Sequence, residues 1–157
     1  MYSPLTIANF FIKKGIEFSD PISQTKIQRL VYIAHGWYLA LTGDPLINSV
    51  VEAWRFGPII PEIYDAFKAY GNLPLKHVID NKESINKEVK KLLEVVWNLY
   101  GRYSTFFLSN FTHQSNTPWD IVAKEYSYNI PANKDIDDRI IRAYFTSLSK
   151  KMSIAGV

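Results

Sequence analysis

Apolar residues return at steps of three and four along most of this chain, a spacing that commits the bulk of its length to helices packed through one face. Ser3-Pro4 suits a helix start, because the hydroxyl caps free amides and proline needs no donor there. The stripe Leu5, Ala8, Phe11 and Ile12 then predicts a first helix, stopped at Gly15. Ser23 caps a longer second helix with Ile27, Leu30, Val31, Ala34, Tyr38 and Leu41 on its apolar face, closed by Gly43-Asp44-Pro45. A third helix starts around Pro58 to Pro61 and turns Ile63, Tyr64, Phe67 and Tyr70 inward. After a connector from Leu73 to Lys82, Ser84 caps a helix carrying Val89, Leu92, Leu93, Val96 and Tyr100. Short helices follow over Ser104 to Phe111 and from Thr117-Pro118-Trp119-Asp120. Tyr126 to Asn133 is a loop. The last helix, Lys134 to Met152, has acids at its start and Lys150 and Lys151 at its end, which matches the helix dipole.

One stretch breaks the helical period. Val50 to Phe56 is β-branched or aromatic at most positions and finishes at Gly57-Pro58, so it reads as a short strand or half of a hairpin. A strand needs a partner, and either Leu46-Ile47 or a chain end can supply it. No repeat, low-complexity tract or linker divides the chain. The expectation is a single compact domain over residues 1–157, mostly α, with several helices and a small β hairpin or short sheet around residues 46–56.

Composition narrows the function classes. With no cysteine among 157 residues, disulfide scaffolds, Cys-ligated zinc, iron–sulfur clusters and thiol nucleophiles are excluded. No apolar run approaches the roughly 20 residues that span a bilayer, and Met1-Tyr2-Ser3-Pro4 lacks the basic-then-apolar form of a signal peptide. These features lead to the expectation of a soluble, cytoplasmic protein without membrane contact. The net charge of +3 is spread evenly over both halves, so neither half carries the basic excess of a nucleic-acid binder.

No catalytic spacing stands out, and no cofactor or metal ligand set is assigned. His35, His77 and His113 are too far apart for a local ligand pair, and no metalloprotease, phosphate-loop or nucleophile-elbow pattern occurs. His35 lies beside the core stripe of the second helix and reads as a packed, hydrogen-bonded residue. His113, in a turn rich in hydrogen-bonding groups, is either a general base or metal ligand, which would make the chain a hydrolase, or a ring that ties the turn together. The pI near 9.0 and the 23 aromatics raise the alternative of a nucleic-acid-binding regulator. Its basic residues nevertheless sit in sign-balanced runs. The helix–hairpin–helix order resembles a winged helix, yet residues 60–70 hold one basic residue, Lys68, against Glu62 and Asp65.

The densest local signal is Val51-Glu52-Ala53-Trp54-Arg55-Phe56-Gly57-Pro58-Ile59-Ile60-Pro61-Glu62-Ile63-Tyr64, with Ser23 to Ala40 upstream. Three further stretches join it: Phe67 to Gly71, Tyr100 to Ser104, and Leu108 to His113 followed by Thr117-Pro118-Trp119. Together these motifs, from about Ser3 to Phe145, resemble the Panacea domain family of SocA-like antitoxins and GepA-type mobile-element proteins. The chain departs from the family pattern at Phe56, where tyrosine is expected, at Ile59, where valine is usual, and at Gln114-Ser115-Asn116, where an acid commonly stands. The resemblance implies a non-enzymatic binding protein, often carried on a prophage or other mobile element, that neutralises a cognate protein toxin. Steric block and hand-over to a protease or chaperone both remain open as its means. Trp and Tyr on either side of Gly57-Pro58 can close over the second helix. The candidate partner-binding residues are therefore Trp37, Trp54, Arg55, Tyr64, His113 and Trp119, since Trp, Tyr and Arg dominate interface hot spots. For Trp54 and Trp119 the other role is to hold the hairpin against the helices. Arg55, charged within an apolar strand, needs either solvent or a paired partner.

Overall fold

The computed structural model of the chain describes residues 1–154. Seven α-helices and one three-stranded sheet follow in the order α1 (Pro4–Glu17), α2 (Gln24–Thr42), β1 (Val51–Trp54), β2 (Gly57–Ile59), α3 (Pro61–Phe67), α4 (Lys87–Tyr100), α5 (Thr105–His113), α6 (Pro118–Glu125), β3 (Asp135–Ile136) and α7 (Asp138–Ile154), with a 3-10 turn (Lys68–Tyr70) after α3. The mostly α fold with a small β element is the one expected. Side-chain caps start most helices: Ser3 accepts from the Leu5 amide, Ser23 from Lys26, Ser104 from Phe107 and Thr117 from Asp120.

Local details differ from the sequence expectations for physical reasons. α1 runs past Gly15 to Glu17, and the chain turns instead at Ser19, whose φ is 56°. Asn86, not Ser84, caps α4, accepting the Val89 amide. Gly57-Pro58 does not end a strand but opens β2, so the hairpin turn is Arg55-Phe56 and β1 pairs antiparallel with β2 in the register Glu52 to Ile59 and Trp54 to Gly57. The other neighbour of β1 is β3, through Val51 to Ile136. Leu46-Ile47 pairs instead with the N-terminus, Ile47 forming a parallel bridge with Tyr2. β3 thus takes residues expected in the last helix. Ile63 and Phe67 point inward as anticipated, whereas Tyr64, Tyr70 and Leu41 are exposed.

α2 is the central element and packs against α1, α3, α4, α5 and α7. Residues 26 to 36 are buried without interruption, polar ones included. Each buried polar side chain along α2 ties down a different element. Lys26 Nζ donates to the Gly101 carbonyl at the end of α4 (2.6 Å), and burial lowers its pKa. Gln28 makes a pair of bonds to the backbone of Ile60, accepting its amide (2.9 Å) and donating to its carbonyl (3.0 Å). His35 accepts the Leu46 amide at Nδ1 (3.3 Å), which leaves the proton on Nε2 to be donated to Asp138 Oδ1 (2.8 Å) at the start of α7. Buried polar groups are tolerated because they are paired. The exception among the described residues is the Tyr32 hydroxyl, which has no partner.

Gly36 sets the closest approach of α2 to α7. A methyl group there would overlap the ring of Phe145, itself fully buried between Trp37, Tyr32 and Tyr144.

Candidate functional site

The β1–β2 hairpin projects its Arg55-Phe56 turn from the body of the protein, and side chains from four helices fix it. Arg29 of α2 reaches through the interior and donates from Nη1 to the Pro58 carbonyl (2.5 Å), from Nη2 to the Phe56 carbonyl (3.0 Å) and from Nε to Ser109 Oγ of α5 (3.3 Å). Its burial lowers the guanidinium pKa to about 10, which leaves it charged at neutral pH. Residue 57 has φ +133°, and any side chain there would meet the Arg29 guanidinium, so only glycine serves both requirements. The Trp119 indole of α6 donates to the Trp54 carbonyl (2.5 Å). Tyr64 of α3 meets the Trp54 ring edge to face at 4.7 Å, and the Trp54 indole donates to Glu52 Oε1 (2.9 Å).

The turn preceding α6 continues this scaffold. His113 Nδ1 donates to the Ser109 carbonyl, which fixes its tautomer, and its ring meets Trp119 edge to face at 5.5 Å. Asp120 accepts the Asn116 amide (2.9 Å) and the Tyr128 hydroxyl (2.7 Å) and pairs with Lys124 (3.3 Å). Led by the Asn116 bond, these contacts lower the Asp120 pKa below the usual carboxylate range. Below-normal folded pKa means that the contribution is complete above the unfolded value of about 4 and is lost as pH falls through the folded value. Asp120→Asn should therefore cost about 1–2 kcal/mol at pH 7 and progressively less below pH 4. Urea unfolding at pH 7 and pH 3.5 checks this. An equal loss at both values would refute the linkage.

Five of the six candidates come together here, in unequal positions. Arg55 and Phe56 face solvent, the arginine lying over the Phe56 ring at 5.1 Å, and Phe56 is 73% exposed. Solvent therefore resolves the Arg55 charge. Tyr64 is partly exposed at the same edge, and Trp54 and His113 are half-buried. Trp119, only 7% exposed, is a strut under the hairpin. Trp37 does not join them. It lies on the α4 and α7 side of α2, donates to the Tyr100 hydroxyl (3.1 Å) and borders a cleft of about 360 Å³ with Leu41, Val95 and Leu99. Sequence reasoning missed Arg29 and Gln28, the two anchors of the hairpin. Their signal was present as polar residues inside the stripe Ile27, Leu30, Val31. It also missed Phe106, 83% exposed on the α5 helix that packs against β2.

Among the described residues no group of three or more His, Cys, Asp or Glu is placed to hold a metal ion, and no helix is long and apolar enough to cross a membrane.

Residues 27–120, which run from the anchoring face of α2 through the hairpin to Asp120, match the family model described as Antitoxin SocA-like, Panacea domain. Antitoxin SocA of Caulobacter vibrioides (strain NA1000 / CB15N) is 31% identical over 160 residues, covering 94% of this chain and 85% of that protein. No solved structure matches the chain. The matched segment contains every anchor of the hairpin described above. The chain belongs to the SocA-like antitoxin family and carries its Panacea domain.

Proposed function

We propose that this protein is an antitoxin that neutralises a genetically linked protein toxin by direct binding, without catalysis, and that the hairpin tip is part of the contact surface. The observation that carries the reading is the likeness to Antitoxin SocA along nearly the whole chain. The geometry supports it: a solvent-facing Arg and aromatic, Arg55 and Phe56, are held on a turn whose carbonyls are clamped by Arg29. Preorganised aromatic and Arg side chains lose little entropy on binding and dominate interface energetics. A protease or chaperone would act on the complex as a second partner.

The test is co-expression with the product of the neighbouring gene, followed by titration of the purified pair. Wild-type protein should relieve the toxicity and bind its neighbour. The double variant Arg55→Glu, Phe56→Ser should weaken binding by about 100-fold while its melting temperature stays put, since neither side chain packs inside. Toxicity that persists despite soluble wild-type protein would sink the antitoxin reading. A double variant that binds as wild type would instead remove the tip from the interface.

A further inference from the structure

A second surface lies on the far side of α6 from the hairpin. Ile140, Tyr144 and Leu148, four residues apart on α7, form one half-buried wall of an open groove of about 910 Å³. Phe111 of α5 and Ile121 of α6 form the other wall, and Ile121 is 43% exposed. Along the α7 rim run Arg139, Ala143, Ser147 and Lys151, again four apart. Small side chains occupy the middle of that rim and cations its ends. The two ends differ in electrostatics. Arg139 is already committed to Asp137, with Nη2 to Oδ2 at 2.8 Å. Lys150 and Lys151 have no carboxylate within 4 Å among the described residues. Their two charges also exceed the roughly half charge of a helix C-terminus.

We infer that this groove seats an amphipathic helix of the toxin, its apolar face on Ile121, Tyr144 and Leu148 and its acidic residues over the rim end at Lys151, with Lys150 beside it in sequence; this rests on the antitoxin reading above. The rim from residue 139 to 151 spans about 18 Å, the length of three helical turns, and Ala143 and Ser147 let a backbone approach closely. An apolar floor with staggered anchors is how a groove recognises a helix. The positive charge of Lys151 and the neighbouring Lys150 at one end selects acid on the partner and fixes its direction. Nucleic acid fits less well, because the floor is apolar and Asp137 faces phosphate at the other end.

The experiment measures binding of the purified neighbouring toxin to full-length wild type, to Lys150→Gln with Lys151→Gln, and to Ala143→Trp, all exposed positions, of which Ala143→Trp should melt as wild type does and the lysine pair, which also complements the helix C-terminus, within a few degrees of it. Each variant should bind about 30-fold more weakly, and the lysine pair should also flatten the loss of affinity between low and high salt. Wild type that fails to bind the toxin overturns the antitoxin reading and this inference with it. Wild type that binds while both variants stay within about threefold of it overturns the groove alone. The groove also falls if the variants lose duplex DNA binding, or change only self-association in sedimentation, while toxin affinity holds.

Discussion

Arg29→Met should lower folding stability by about 3 kcal/mol, the cost of removing a buried charged donor that holds three acceptors at once. Methionine fills much of the same volume, so the loss isolates hydrogen bonding from packing. Without the guanidinium, the Pro58 and Phe56 carbonyls lose their partners, and Ser109 loses its tie to the hairpin. The expected loss exceeds that of an exposed charge, worth about 0–1 kcal/mol, because water cannot replace the bonds at a site 3% exposed. Arg29→Lys should recover less than half of it, since one ammonium cannot span the two carbonyls that the planar fork reaches together. Urea unfolding gives the equilibrium loss. Amide exchange should place the loosening at the hairpin and α5 before the rest of the fold. Toxin affinity should fall by more than the unfolded fraction accounts for, because Arg29 sets where the Arg55-Phe56 turn points. A loss below about 1 kcal/mol for Arg29→Met would refute the clamp.

The helices were legible where their signals are local. Ser3-Pro4, Ser23 and Thr117-Pro118 cap the helices they were expected to cap, because a cap needs only its own side chain and the next three amides. The second face of α2 was not legible. Periodicity marks one buried stripe with the packed His35 beside it, and a helix surrounded by five others buries Lys26, Gln28 and Arg29 as well, each bonded to residues 27 to 80 positions away. Non-local pairing hid β3 in the same way, as two residues cannot announce a strand without β1 beside them. For the candidate site, the stretch from Val51 to Tyr64 marked a β element and the helix after it, but the anchors that reach it from α2 carry no local signal of what they bond. Aromatic identity could not tell a strut from a contact. Trp119 and Trp37 share a residue type with Trp54, but one is buried under the hairpin and the other faces a different cleft.

Gly36→Ala should cost about 3 kcal/mol, although on propensity alone the exchange favours a helix interior by about 1 kcal/mol. The sign is decided by Phe145. Its ring lies against the α2 backbone at Gly36 and is boxed in by Trp37, Tyr32 and Tyr144, with ring centroids 5.4, 6.0 and 5.2 Å away. A methyl group must displace that ring, and the ring has no free space to enter. α7 would then shift off α2, carrying Asp138 away from the buried His35 and disturbing the walls of both clefts that α7 borders. For a chain of this size the expected drop in melting temperature is about 6–12 °C. Phe145→Leu makes room at the price of lost burial, so the double variant should be less destabilised than the sum of the two single ones, with a coupling of about 1–2 kcal/mol. Additive losses in that cycle would show that Gly36 and Phe145 act independently, and the close approach would then not be what requires glycine at the centre of α2.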